Sequence, residues 1–80
     1  MPTALKVGPY RFFFYAGDHD EPPHVHVERE GKIAKFWLDP IRLQRSGRFS
    51  RRDIGRIRNL LSTHRIKLLE AWNEYFRGRN

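Results

Sequence analysis

The run His24-Val25-His26-Val27-Glu28-Arg29 alternates without a break, Glu30-Gly31 follows it, and Lys32-Ile33-Ala34-Lys35-Phe36-Trp37-Leu38 returns. A period of two is the pattern of a strand with one buried face. Glu30-Gly31 reads as a two-residue turn, because Gly tolerates positive φ. A hairpin closed by that turn has a single register. Arg29 faces Lys32, Glu28 faces Ile33, Val27 faces Ala34, His26 faces Lys35, Val25 faces Phe36 and His24 faces Trp37. Val25, Val27, Ala34 and Phe36 then share one apolar face, and His24, His26, Glu28, Lys35 and Trp37 share the other. A slip of one residue would invert every side chain, so agreement between the two strands supports this pairing. The register predicts that both imidazoles project outward together, away from the main core.

The rest of the chain is arranged around this hairpin. Tyr10-Arg11-Phe12-Phe13-Phe14-Tyr15 is rich in β-formers and too short for a helix, so it reads as another strand, which Leu5-Lys6-Val7 extends before the Gly8-Pro9 break. Ala16 to Pro23 is a loop whose two prolines cannot donate to a ladder. Asp39-Pro40 stops the returning strand, and Ile41-Arg42-Leu43-Gln44 offers a fourth before the Ser46-Gly47 turn. Ser50 is placed to cap a helix, with Asp53 three residues on at the positive end of its dipole. Ile54, Ile57, Leu61, His64, Leu68, Trp72 and Tyr75 then fall at steps of three or four, broadened by Leu60, Leu69 and Phe76. The helix runs from about residue 51 to about residue 77, as one rod or as two broken near Ser62-Thr63, where Thr63 could cap a second. His64 on this stripe reads as a core or boundary residue, and Trp72 as a core anchor. The fold class is α+β: a single domain over residues 1–80, with a small antiparallel sheet of three or four strands packed on a long C-terminal amphipathic helix.

Composition bounds the function. Eighty residues allow one domain, and aromatics at 14% give a small core its buried area. The absence of cysteine excludes disulfides and thiolate metal sites. No stretch approaches the roughly 20 apolar residues of a membrane span, and the N-terminus carries no apolar leader, so the expected location is cytoplasmic, with no membrane partner. The formal charge of +7 is uneven. Residues 1–40 hold five cations against six anions, whereas residues 41–80 hold eleven against three, and ten of those eleven are Arg. Arg42, Arg45, Arg48, Arg51, Arg52, Arg56 and Arg58 form the dense part. Arg pairs bidentately with phosphate and carboxylate, so the cluster suits nucleic acid or an acidic protein surface. A solvated helix face with a basic loop explains it equally well.

The two histidines have three uses open to them. Two residues apart on one strand, they stand roughly 7 Å apart. A divalent metal could bridge them, with Glu28, Asp18, Asp20 or His19 completing the shell; His19, His24 and His26 make the all-imidazole set. Lys35 opposite His26 weighs against a metal, because one cation repels another. Alternatively, one of His24 and His26 acts as general base and the other as general acid on a phosphodiester, with Lys35 or an Arg neutralising the developing charge. In the third use both rings hydrogen-bond the Pro-rich loop and fix its path.

Asp18-His19-x-Glu21-Pro22-Pro23-His24-x-His26-Val27, preceded by an aromatic strand and followed by a Gly turn and a C-terminal helix with His64 and Trp72, resembles the small bacterial Domain of Unknown Function 4160 family. The resemblance covers nearly the whole chain. The motif residues fall on His19, Pro22, Pro23, His24, His26 and Trp72, with Asp20 as an extra residue in the loop. The family brings no established activity. The resemblance implies a second small protein encoded nearby as partner and a place in a toxin–antitoxin system. The functional expectation is such a component, binding a partner protein or nucleic acid through Arg45, Arg48, Arg51, Arg52, Arg56 and Arg58. A His-dependent ribonuclease using His24, His26 and Lys35, or a His metal-binding protein, is the alternative, and whether the protein is an enzyme stays open. No cofactor is expected except, in the metal-binding reading, that divalent metal, and an exposed Trp37 offers a face for a homodimer.

Overall fold

The computed structural model describes residues 3–77. Five strands, β1 (Thr3–Val7), β2 (Tyr10–Phe13), β3 (His24–Arg29), β4 (Lys32–Leu38) and β5 (Ile41–Arg45), form one sheet in chain order, every neighbouring pair antiparallel. A short 3-10 helix (Ala16–Asp20) lies between β2 and β3, and α1 (Arg51–Phe76) follows the sheet. The α+β class stands, with one strand more than the three or four expected. Leu5-Lys6-Val7 does not extend the aromatic strand. It belongs to a separate strand that Gly8-Pro9 turns back on β2, pairing Lys6 with Arg11 and Val7 with Tyr10. An extension and a hairpin share the same punctuation, and only the antiparallel pairing separates them.

The β3–β4 register is the predicted one at all six pairs. Glu30 and Gly31 both have positive φ, 52° and 79°, the pair of left-handed residues that matches the twist of a hairpin. Val25, Val27, Ala34 and Phe36 are fully buried and face α1. Phe12 and Phe14 join them, while Phe13 falls on the opposite face, opposite His26. Each buried Val or Phe side chain among them contributes about 1.5–3 kcal/mol.

α1 is one unbroken helix. Thr63 starts no second one: its hydroxyl donates to the Asn59 carbonyl one turn back, 3.1 Å away. The Ser50 hydroxyl accepts from the Asp53 N–H at 3.1 Å, as the cap expectation requires. Ile54, Ile57, Leu61, Leu68 and Trp72 form the buried stripe, with His64 half-buried between Leu61 and Leu68. The Trp72 ring packs 4.3 Å from Phe76 and edge-on to Phe14 at 5.3 Å, which closes one end of the core. Arg65 ties the helix to the β4–β5 turn through the Leu38 carbonyl, 3.1 Å, and the Asp39 carboxylate, 2.6 Å. No helix is long and apolar enough to cross a membrane among the described residues.

Candidate functional site

His24 and His26 share the sheet face that the register assigned to them, but they do not project into solvent. His24 is fully buried and His26 is 9% exposed. This overturns the outward-facing expectation. Alternation says on which side of a strand a side chain lies; it does not say what covers that side. Here the chain after β2 folds back across the second face. His26 stacks on Phe13 at 5.5 Å and meets the edge of Tyr15 at 4.5 Å. His24 lies between Trp37 at 5.6 Å and Trp72 at 5.1 Å, and the two imidazoles are 5.2 Å apart edge to face. Trp37 is half-buried rather than freely exposed, with the Lys35 ammonium 4.9 Å over its ring.

The residue that reaches both rings is Asp18, from the 3-10 helix. Its Oδ1 lies 3.1 Å from His24 Nε2, and its Oδ2 lies 3.1 Å from His26 Nε2, which donates to it. Asp18 is held in place by its own turn: its N–H donates to the Tyr15 carbonyl at 3.0 Å, and its Oδ2 accepts from the Tyr15 N–H at 2.8 Å. On the far side of the His24 ring, Nδ1 donates to the Pro22 carbonyl at 2.9 Å. That contact is the loop-fixing role open to His24 from the sequence. Burial pushes the His26 pKa below its ordinary value, with the Asp18 carboxylate opposing and the neighbouring His24 reinforcing the shift.

The other predicted site residues go elsewhere. His19 is exposed, with Nδ1 3.3 Å from the Ala16 carbonyl and Nε2 3.3 Å from Asp20. It takes no part in the cluster, so the all-imidazole set His19, His24 and His26 gives way to Asp18, His24 and His26. The reason is local: the 3-10 turn aims Asp18 inward and leaves His19 outside. Glu28 is drawn to Arg11, 2.9 Å away. Lys35 is not free to neutralise a substrate's charge, because its ammonium donates to Glu21 Oε1 at 2.6 Å. That bond is the main cause holding the Glu21 carboxyl below its usual range. Phe13 and Tyr15, which wall the His26 ring, carried no signal beyond their strand pattern.

The arginines form a second, separate surface. Arg42 and Arg45 lie on β5, Arg48 in the turn that follows, and Arg51, Arg52, Arg56 and Arg58 on the first turns of α1. All seven are exposed. Arg11, Arg29, Arg65 and Arg77 have carboxylate partners, but none of these seven makes an ion pair among the described residues. Arg51 and Arg58 border one hollow between β5 and α1, floored by Leu43, Phe49 and Ile54. The edge strand and the helix start are therefore continuous.

The molecule is thus a small α+β protein with a meander sheet, a buried Asp–His–His cluster and an unpaired arginine surface. The profile of the family described as Domain of unknown function (DUF4160) matches residues 10–73, and the chain belongs to that family. Neither the curated proteins nor the solved structures yield a match.

Proposed function

We propose that the protein binds a polyanion, nucleic acid foremost, through the arginines of β5, the 46–50 turn and the start of α1. The observation that carries this reading is the set of seven exposed guanidinium groups with no carboxylate partner among the described residues. Paired arginines are already neutralised locally, whereas unpaired ones keep their donors and charge for phosphate. The positive end of the α1 dipole adds to the same field. The buried cluster supports binding over cleavage: His24 has no exposed surface and His26 only 9%, which leaves a phosphodiester little approach, and Lys35 is engaged by Glu21.

The test is affinity for generic RNA and DNA across a salt series. Seven phosphate contacts give a log–log slope of about −5 for single strands and about −6 for a duplex. Replacing Arg45, Arg51 or Arg56 singly with Gln should reduce that slope by about one contact each. Absence of binding at low salt, or a slope unmoved by these substitutions, refutes the proposal. The setting we propose for this activity is a toxin–antitoxin pair, supported by the neighbouring small gene that the family resemblance implies. Growth assays of each gene alone and together test it; growth unaffected by either gene refutes it.

A further inference from the structure

The buried cluster poses a problem of its own. The Pro22 carbonyl can only accept, so His24 Nδ1 carries a proton. In the neutral ring, Nε2 then bears a lone pair, and it faces Asp18 Oδ1 at 3.1 Å. Two acceptors confront each other, and the nitrogen is sealed from water. A second ring proton would resolve this only if the N–H pointed along the line to the oxygen, and it does not: His24 Nε2 is buried without a hydrogen-bond partner. A metal ion imposes a different condition. It lies on the lone-pair axis and off the line between its two ligands, so misalignment for a proton is what coordination produces.

We propose that Asp18 together with Nε2 of His24 and of His26 forms a site for a divalent first-row metal, zinc being the ion whose chemistry fits best; the proton that His26 Nε2 donates to Asp18 is released to solvent as the ion takes its place. The donor set of two imidazoles and one carboxylate is one that zinc accepts, leaving a fourth position for another ligand. Ligand atoms around tetrahedral zinc, with bonds near 2.0–2.1 Å, stand roughly 3.3 Å apart. Each imidazole nitrogen here already stands 3.1 Å from one carboxylate oxygen, and all the candidate ligand atoms lie within 4.8 Å of one another. The surrounding contacts match those of ligating side chains. A metal-bound imidazole characteristically donates its other N–H to a carbonyl, as His24 does to Pro22, and a ligating carboxylate is itself hydrogen-bonded, as Asp18 is by the Tyr15 N–H. Glu21 removes the objection raised by Lys35, since it neutralises that ammonium at 2.6 Å.

The test is titration of Zn²⁺ into chelator-stripped protein by calorimetry, with thermal melts alongside. Wild type should bind one ion per chain and melt higher when loaded. Asp18→Asn and His26→Gln, which preserve shape, should each weaken binding by at least the roughly 10–100-fold that loss of an outer-shell partner costs. His19→Gln and His64→Gln should leave the isotherm unchanged. Circular dichroism verifies that each variant is folded. Co²⁺ substitution of the wild type gives a readout independent of any variant, because a site of low coordination number absorbs visible light far more strongly than octahedral aqueous cobalt. No saturable binding, an unchanged isotherm in folded Asp18→Asn, or loss in His19→Gln instead overturns the assignment, as does a Co²⁺ spectrum like that of the free ion.

Discussion

Among the described glycines Gly47 alone has backbone where a Cβ would stand, and Gly47→Ala tests how the arginine segment is seated on the sheet. At φ +60° it lies in the left-handed region, where a side chain costs about 1–2 kcal/mol. A Cβ there would stand 1.8 Å from the Ile33 carbonyl oxygen and 2.5 Å from its carbon. Both atoms are β4 backbone, held in the sheet, so the loop must give way. A tolerable separation requires a retreat of about 1.2 Å. That movement strains the bond from the Phe49 N–H to the Ser46 carbonyl, 3.1 Å, and draws the buried Phe49 ring away from Tyr10. Together these cost at least about 3 kcal/mol, out of about 4–12 kcal/mol for a domain of this length. Gly31→Ala is the matched control: φ is +79°, but nothing lies within 4 Å of its Cβ. It should cost only the backbone term, about 1–2 kcal/mol. Urea unfolding separates the two, and in melts the Gly47 variant should fall by about 12–24 °C. Equal losses in the two variants would refute the close approach to Ile33, and with it the placement of the segment that carries Arg48 and the helix start.

Two further outcomes follow from other residues. Arg48 holds a positive φ of 71° that its side chain disfavours, so Arg48→Gly should stabilise the fold by about 1 kcal/mol while weakening nucleic-acid binding; denaturation and a binding isotherm check the two halves, and a variant that is both more stable and equally tight would take Arg48 out of the proposed surface. In metal-free protein, His26 binds its proton less tightly when folded than when unfolded, where the ordinary value is 6.5. Below that pH the unfolded chain holds the extra proton, so stability falls as pH drops towards the depressed folded value and then levels off. Urea midpoints at about pH 7.5 and about pH 5.5 should differ in wild type and differ less in His26→Gln; equal differences would remove His26 as the cause.

The β3–β4 register was legible because two strands carried the same alternation and Glu30-Gly31 allowed one closure. The single helix was legible in its stripe from Ile54 to Trp72, although the Ser62-Thr63 break was suggested by residues that cap helices as readily as they sit within them. β1 escaped because Gly8-Pro9 marks a stop in the same way as it marks a reversal. The charge of 42–58 was plain, but its freedom from carboxylates was not, since an ion pair such as that of Arg65 with Asp39 joins residues 26 apart in sequence. The third member of the cluster was open among Glu28, Asp18, Asp20 and His19, and it fell to the residue that a single 3-10 turn points inward.

The side of the strand on which His24 and His26 lie is written in the residue order alone, because backbone pleating is a local property with a period of two. That this side is sealed came from the folded chain, because the cover is Tyr15, Asp18 and Trp72, residues whose approach depends on how the loop and the far end of the helix close over the sheet. Enclosure makes the unsatisfied His24 Nε2 significant: in water it would find a partner at once, and in a dry interior it needs one supplied.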